Sequence, residues 1–450
     1  MRNAKLTLWG FLALLTLAWL LAEAAALPPQ TLFAWRAAML QLTGLLAIGC
    51  MAAATMLALR PRWPEKWFGG LDKMYRLHKW LGVATLAVGV VHWLWAKAPP
   101  WAVELGWIER GARGGRPPPG GPVEAFLAGL RGPAASAGEW AFYGLAALIA
   151  LALSPAFPYR PFARTHRLIA LAFLALAFHA LALTRFRYWS QPIGWLTAPL
   201  LAGGAAAVAI ALLGLVGARR RVKGEIVALQ YYPGVRALET TIALEKGWPG
   251  HAAGQFAFKI ADAAEGGHPY TIASAWRPDE RTVTFVIKEL GDYTRRLHEK
   301  LRVGMPTIVE GPYGCFTFDD DRPRQIWIGA GAGVTPFLAR LKHMALQRDA
   351  PDWPSCQRAY LYHTTAEIDE AALESLAADA AEADVRLHIL VDARDGRLTG
   401  ERIREHVPDW AEASIWFCGP AAFGAALRRD FAAKGFPVQR RFHQELFAMR

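Results

Sequence analysis

"HKWLGVATLAVGVVH", His78 to His92, is an apolar run with an imidazole at each end. Fourteen residues of α-helix rise ~21 Å and bring both rings to nearly the same face, because each residue adds ~1.5 Å and ~100°. Such a pair spans most of a hydrocarbon core ~30 Å thick. "HRLIALAFLALAFH", His166 to His179, repeats the arrangement with a spacing of thirteen. On an ideal helix that spacing leaves the rings ~140° apart in azimuth. Either that helix departs from ideal geometry, or its two rings serve their sites from different sides.

The rest of the N-terminal half extends the same pattern. The chain has 450 residues, of which 54 % are hydrophobic, and the apolar residues crowd into the first half. Six runs near the ~20-residue length of a membrane span lie at roughly 6–26, 33–59, 74–97, 139–157, 163–184 and 192–217. Backbone groups in lipid must pair within their own segment, so the runs are expected to be helices. "MRNAKLTLWGFLALLTLAWLLAEAAAL" has the basic start of a signal peptide but too long an apolar run, and reads as the first span. "ERGARGGRPPPGGPVEAFLAGLRGPAASAGE", Glu109 to Glu139, is rich in Gly and Pro and is expected to be mostly an irregular exposed loop.

The net charge of +12 sits largely beside these runs. It therefore reads as membrane topology rather than nucleic-acid binding. Arg60, Arg62, Lys66 and Lys73, then Arg160, Arg164 and Arg167, then "GARRRVKGE" (Gly217 to Glu225) all fall on one side. That side is expected to be cytoplasmic, with both termini, in a bacterial cytoplasmic membrane crossed several times. Arg110, Arg113, Arg116, Arg131, Arg185 and Arg187 run against the rule. The four cysteines form no CxxC or CxxCH motif, so no structural disulfide, zinc site or covalently attached haem is expected.

The third and fifth spans run in the same direction. His78 and His166 therefore share one level, and His92 and His179 share the other. Neutral imidazole is a good axial ligand for haem iron, so two stacked bis-imidazole sites would make a path for single electrons. The plain alternative is four buried polar residues bonded to neighbouring helices, and the matched pairs argue against it. Arg36 is a candidate partner for a haem propionate or a snorkelling side chain. Phe173, midway between His166 and His179, is a candidate spacer or ordinary packing.

After about residue 222 the periodicity changes. "GEIVALQYY", "TVTFVIKEL" and "MPTIVEGPYG" read as strands of a small antiparallel barrel. From about 322, strands alternate with helical stretches, the mark of a parallel doubly wound sheet. "HPYTIAS" (His268 to Ser274) offers a strand hydroxyl to a flavin ring edge. "IKELGDYTRRL" (Ile287 to Leu297) offers backbone amides and a hydroxyl to a pyrophosphate. "IGAGAGVTPFL" (Ile328 to Leu338) is a glycine turn between strand and helix, suited to phosphate. "FCGP" (Phe417 to Pro420) follows the last expected strand, where a nicotinamide could lie.

The order of these motifs resembles the ferredoxin–NADP reductase family. Joined to the paired histidines, it resembles the ferric reductase and NADPH oxidase superfamily, and bacterial NADPH oxidase homologues over nearly the whole chain. The resemblance implies a six-helix transmembrane di-haem domain (1–217), an FAD-binding β-barrel (223–321) and an NAD(P)-binding α/β domain (322–450). It implies one FAD, two b-type haems and NAD(P)H as donor. His268, Pro269, Tyr270, Thr271 and Ser274 would line the flavin, with Gly291, Asp292, Tyr293 and Thr294 at its phosphates. Gly329, Gly331, Gly333, Thr335 and Pro336 would hold the dinucleotide, with Cys418, Gly419 and Pro420 beside the hydride path. Phe447 of the tail "FHQELFAMR" would stack on the isoalloxazine. Thr271, Cys418 and Phe447 would thus stand nearest the chemistry. No "DxDxDG" calcium loop is present, so calcium gating is not expected.

The expected reaction is electron transfer from cytoplasmic NAD(P)H to oxygen, giving superoxide; a ferric chelate, a quinone or an extracytoplasmic partner are the other acceptors. No nucleic acid and no obligatory protein partner is expected. A haem sensor, or a transporter with a flavin module, is the rival class. The concentration of buried polarity in four histidines favours electron transfer.

Overall fold

The computed structural model describes every residue except 110–118, 261–266, 292, 321, 349–357 and 446–450. It separates into two units, Met1–Pro64 with Lys73–Val216, and Glu65–Asp72 with Gly217–Met449.

The first unit is built on six long helices. They are α1 (Arg2–Glu23), α2 (Leu32–Ala58), α3 (Leu71–Glu104), α4 (Arg131–Leu153), α5 (Tyr159–Leu183) and α6 (Pro192–Leu212). Each is long and apolar enough to cross a membrane. α3 continues beyond its expected end, through Pro99 and Pro100. Proline has no N–H, so the carbonyls four residues earlier, those of Trp95 and Ala96, lose their helical donors. Arg36 replaces them: its Nε donates to Trp95 O at 3.1 Å and a terminal nitrogen donates to Ala96 O at 3.0 Å. The charge in α2 thus repairs α3.

The irregular loop expected over 109–139 is corrected by the structure. Pro122–Gly129 is a short helix and α4 already begins at Arg131. Pro122 and Pro133 stand in first turns, where the missing N–H has no helical acceptor to lose. Phe173 is fully buried among Ile48, Met51, Leu145 and Val208. A Cβ on Gly204 of α6 would come within 2.4 Å of its ring, so this glycine makes the space that Phe173 fills. Where α1 ends, the buried Glu23 carboxylate accepts from Arg185, Arg187 and Tyr188, tying the turn Phe186–Ser190 to α1.

The second unit opens with an antiparallel sheet of β1 (Arg221–Tyr232), β2 (Ala237–Leu244), β3 (Phe256–Ile260), β4 (His268–Thr271), β5 (Thr282–Lys288) and β6 (Pro306–Tyr313), in the order β4-β3-β6-β1-β2-β5. A bridge between Ile272 and Phe285 joins the two edge strands, which closes the sheet into a barrel. Its interior is apolar, with Ile226, Ile242, Val283, Phe285 and Val309 at its centre.

A parallel five-stranded sheet follows, formed by β7 (Arg324–Ala330), β8 (Arg358–Thr365), β9 (Arg386–Val391), β10 (Ser414–Cys418) and β11 (Phe442–Gln444). Its order is β11-β10-β7-β8-β9. Helices α7 (Thr335–Gln347), α8 (Glu370–Glu382) and α9 (Ala421–Ala433) connect the strands, and one apolar cluster packs on each face of the sheet. The fold is the doubly wound one expected from the alternation of strand and helix. Glu367 ties barrel to sheet, meeting Arg236 at 2.5 Å and Lys288 at 2.7 Å. Gly234 N adds a bond to Asp369 at 2.9 Å.

Candidate functional site

Two pairs of histidines meet inside the helical unit. The ring centres of His78 (α3) and His166 (α5) are 5.9 Å apart, and those of His92 and His179 are 6.1 Å apart. Two imidazoles on opposite sides of one metal ion place their ring centres about 6.3 Å apart, from ~2.0–2.1 Å metal–nitrogen bonds and ~1.1 Å from nitrogen to ring centre. Both pairs fit that separation. α5 is unbroken from Tyr159 to Leu183. Its thirteen-residue spacing therefore leaves the two rings on different sides of α5, yet each still reaches its partner on α3.

Hydrogen bonds select which ring nitrogen is free. His78 Nδ1 lies 2.9 Å from Ala54 O, and His179 Nδ1 lies 2.9 Å from Ala134 O. A carbonyl only accepts, so both rings carry their proton on Nδ1 and leave Nε2 for a metal. His92 Nδ1 lies 3.0 Å from Thr43 Oγ1. The Nδ1 of His166 is buried with no hydrogen-bond partner among the described residues, and its ring stacks on Phe162 at 5.1 Å. Two glycines give the rings room. A Cβ on Gly138 would stand 2.0 Å from His179 Nδ1, and one on Gly44 would stand 3.2 Å from His92 Cε1.

Among the described residues, no three His, Cys, Asp or Glu gather as a metal-binding group. Two imidazoles alone make a poor site for a bare ion, which commonly takes four protein ligands. They suit an iron whose other positions are filled by a macrocycle.

In the second unit, His268 of β4 stacks on Tyr293 with centres 4.3 Å apart and planes 14° apart. Pro269 and Tyr270 continue the strand, and Tyr270 packs near Phe285. Burial holds His268 below the usual imidazole range. Thr271 is buried, and its hydroxyl has no partner among the described residues. Ser274 is engaged in closing the barrel: its Oγ accepts from Thr284 N at 3.0 Å. The amides of Leu290 and Gly291, which the sequence offers to a phosphate, both donate to Thr294 Oγ1, at 2.9 and 3.1 Å. Asp292 lies outside the described residues.

The order of the parallel sheet reverses between β7 and β10, and crevices for ligands form at such switch points beyond the strand ends. The glycine turn after β7 and the Cys418–Pro420 turn after β10 meet there. A Cβ on Gly333 would come within 2.1 Å of Cys418 O, one on Gly419 within 2.7 Å of Ala330 Cβ, and one on Gly329 within 2.9 Å of Val334 Cα. Gly331 adopts φ +54°, which favours glycine. Thr335 Oγ1 donates to Ala332 O at 2.8 Å and Pro336 occupies the first turn of α7. His363 Nδ1 donates to Gly329 O at 3.2 Å, and burial pushes this histidine down to about 4, so it is neutral. Cys418 is wholly buried, and burial followed by the Glu445 charge raises its thiol well above the ordinary value. Its side chain belongs to the apolar cluster on one face of the sheet, and its main-chain oxygen borders Gly333. Phe447 lies outside the described residues.

Sequence reasoning missed Thr43, Gly44, Ala54, Ala134 and Gly138. Four act through main-chain atoms or a missing side chain, which carry no residue-type signal. Ala134 and Gly138 also lay in the stretch read as a loop.

Residues 43–177 match the family described as "Ferric reductase like transmembrane component". The chain is 31 % identical over 173 residues to the NADPH oxidoreductase of Mycobacterium tuberculosis, covering 38 % of this chain and 44 % of that one. It is 34 % identical over 84 residues to ferric reduction oxidase 5 of Arabidopsis thaliana, covering 18 % of this chain and 12 % of that one. A solved cytochrome P450 reductase of Amycolatopsis aligns at 21 % identity and a TM-score of 0.43, over 51 % of this chain and 70 % of that one. The chain spans less than half the length of the first two relatives. The match to a ferric-reductase-like membrane component falls in the helical unit, and an antiparallel barrel and a parallel α/β sheet follow it in the chain.

Proposed function

We propose that this chain is an oxidoreductase that takes electrons from NAD(P)H through FAD and passes them across the membrane by two b-type haems, with oxygen as acceptor and superoxide as product. Residues 1–217 hold the haems, 223–321 the FAD and 322–450 the nicotinamide. The observation that carries the reading is the two imidazole pairs at a separation that would suit two ligands of one iron, three of the four rings with Nδ1 engaged. When bound, FAD turns a two-electron hydride into single electrons and paired haems relay them.

The residues have distinct tasks. His78 with His166, and His92 with His179, would supply the imidazole ligands, through Nε2 at His78, His92 and His179, whose Nδ1 atoms are engaged. Tyr293 and His268 give a flat stacked surface beside the flavin strand, and Thr271 has a buried hydroxyl to spend on the ring edge. Gly329, Gly331 and Gly333 let the backbone approach a phosphate, with the start of α7 favouring its charge. Gly419 and Pro420 close the crevice opposite them. Arg185 and Arg187, which follow the His179 end of α5, are both turned onto Glu23. That leaves less free charge for an anionic ferric chelate and favours oxygen.

The purified full chain should show haem absorption that reduces on adding NADH or NADPH without oxygen. With oxygen it should give superoxide that a dismutase removes. Protein free of haem, or haems that stay oxidised beside a reduced flavin, would overturn the reading. Reduction of ferric chelate without any superoxide would reassign the acceptor.

A further inference from the structure

We infer that Thr43 is the positioning residue of the His92–His179 pair, fixing both the orientation of His92 and which of its nitrogens is free. The inference rests on the haem-ligation reading above. Thr43 is buried on α2 at 7 % exposure. A threonine hydroxyl has one proton. Here it goes to Met39 O at 2.6 Å, an atom that can only accept. The bond to His92 Nδ1 at 3.0 Å must then run the other way, with the imidazole donating. His92 is held as its Nδ1–H tautomer, and Nε2 keeps its lone pair. Gly44, the next residue of α2, leaves 3.2 Å to His92 Cε1 and so lets the helix approach.

Thr43 differs from the other helix threonines of this unit. Thr16, Thr85 and Thr197 make the same bond to the carbonyl four residues earlier, at 2.8, 2.9 and 2.7 Å. None of those hydroxyls meets an imidazole among the described residues. Thr43 also differs from the other supports. His78 and His179 donate to main-chain carbonyls, which no substitution removes. His92 donates to the Thr43 side chain with the Leu40 main chain also beside its ring, so here a substitution can remove part of the support. A hydrogen bond at Nδ1 makes Nε2 a stronger donor and favours the more positive metal state.

The test uses the purified full chain, with haem-to-protein ratio and a spectroscopic redox titration as readouts. Thr43→Val keeps the side-chain shape and removes the acceptor. One of the two haems should bind about tenfold more weakly. Its preference for ferric over ferrous iron should fall about tenfold, which for one electron is about 59 mV. The other haem should not move. Thr43→Ser should restore the wild-type values, and Thr197→Val, which loses the same helical bond away from any histidine, should match wild type. A Thr43→Val protein with two haems at wild-type potentials overturns the inference and leaves the electron path standing. So does a Thr43→Ser protein that behaves like Thr43→Val. A wild-type chain that binds no haem overturns the reading beneath it.

Discussion

Gly138→Ala separates helix stability from site geometry, because the two respond with opposite sign. Alanine in place of glycine inside α4 favours the helix by ~1 kcal/mol. The new methyl, however, would stand 2.0 Å from His179 Nδ1, 2.4 Å from Cγ and 2.6 Å from Cε1. Ordinary contact needs ~3.5 Å, so the ring must withdraw by about 1.5 Å. Metal–ligand distances tolerate only ~0.2 Å. The bond from Nδ1 to Ala134 O, 2.9 Å long, is lost in the same movement, at a cost of about 1 kcal/mol. We expect haem affinity at this site to fall by at least the ~10–100-fold typical of a lost supporting contact. The assay is a haem-to-protein ratio with a thermal melt. One haem should remain instead of two, with an unchanged or higher melting temperature. Oxidation of NAD(P)H with an artificial acceptor should persist. A Gly138→Ala protein with two haems and full transfer across the membrane would refute the argument from close packing.

Other perturbations address the remaining parts of the molecule. His78→Ala or His166→Ala should lose the other haem and stop transfer to any outside acceptor, while flavin reduction by nicotinamide continues at its normal rate in stopped-flow. Gly333→Ala forces a methyl into Cys418 O; overpacking of ~1–3 kcal/mol should raise the KM for nicotinamide roughly tenfold or more, with both haem spectra unaltered. Because burial raises the Cys418 thiol, it stays protonated at pH 8, and iodoacetamide should modify the partly exposed Cys315 but spare Cys418 until the protein is denatured, as read by peptide mass spectrometry. A fragment from about residue 223 onward should bind FAD and oxidise NAD(P)H with an artificial acceptor; a folded fragment without flavin affinity at high FAD would count against the domain assignment.

Residue types and their periods are enough to predict much of this protein. Apolar runs of membrane length, two of them bounded by histidines, predict the helical unit, because a backbone in lipid has few alternatives. The change to short strands, and then to strand–helix alternation with a glycine turn, predicts a barrel followed by a doubly wound sheet. The His78–His166 and His92–His179 pairings also follow from sequence, since parallel spans place like ends together. Other features depended on atoms that neighbours supply across the fold. The Gly- and Pro-rich stretch before α4 looks irregular locally, yet its prolines stand in first turns, and α4 begins early enough to offer Ala134 O and Gly138 to His179. Arg36 looks like a partner for a ligand or a headgroup until Pro99 and Pro100 of another helix leave two carbonyls for it. Leu290 and Gly291 look free for a phosphate until Thr294 turns back on them. Thr43 is an ordinary helix threonine until His92 arrives from α3. Hydrophobic period is a property of one segment and can be read along the chain. Hydrogen-bond partnership and the space left by a glycine are properties of two segments, so only the tertiary structure decides them.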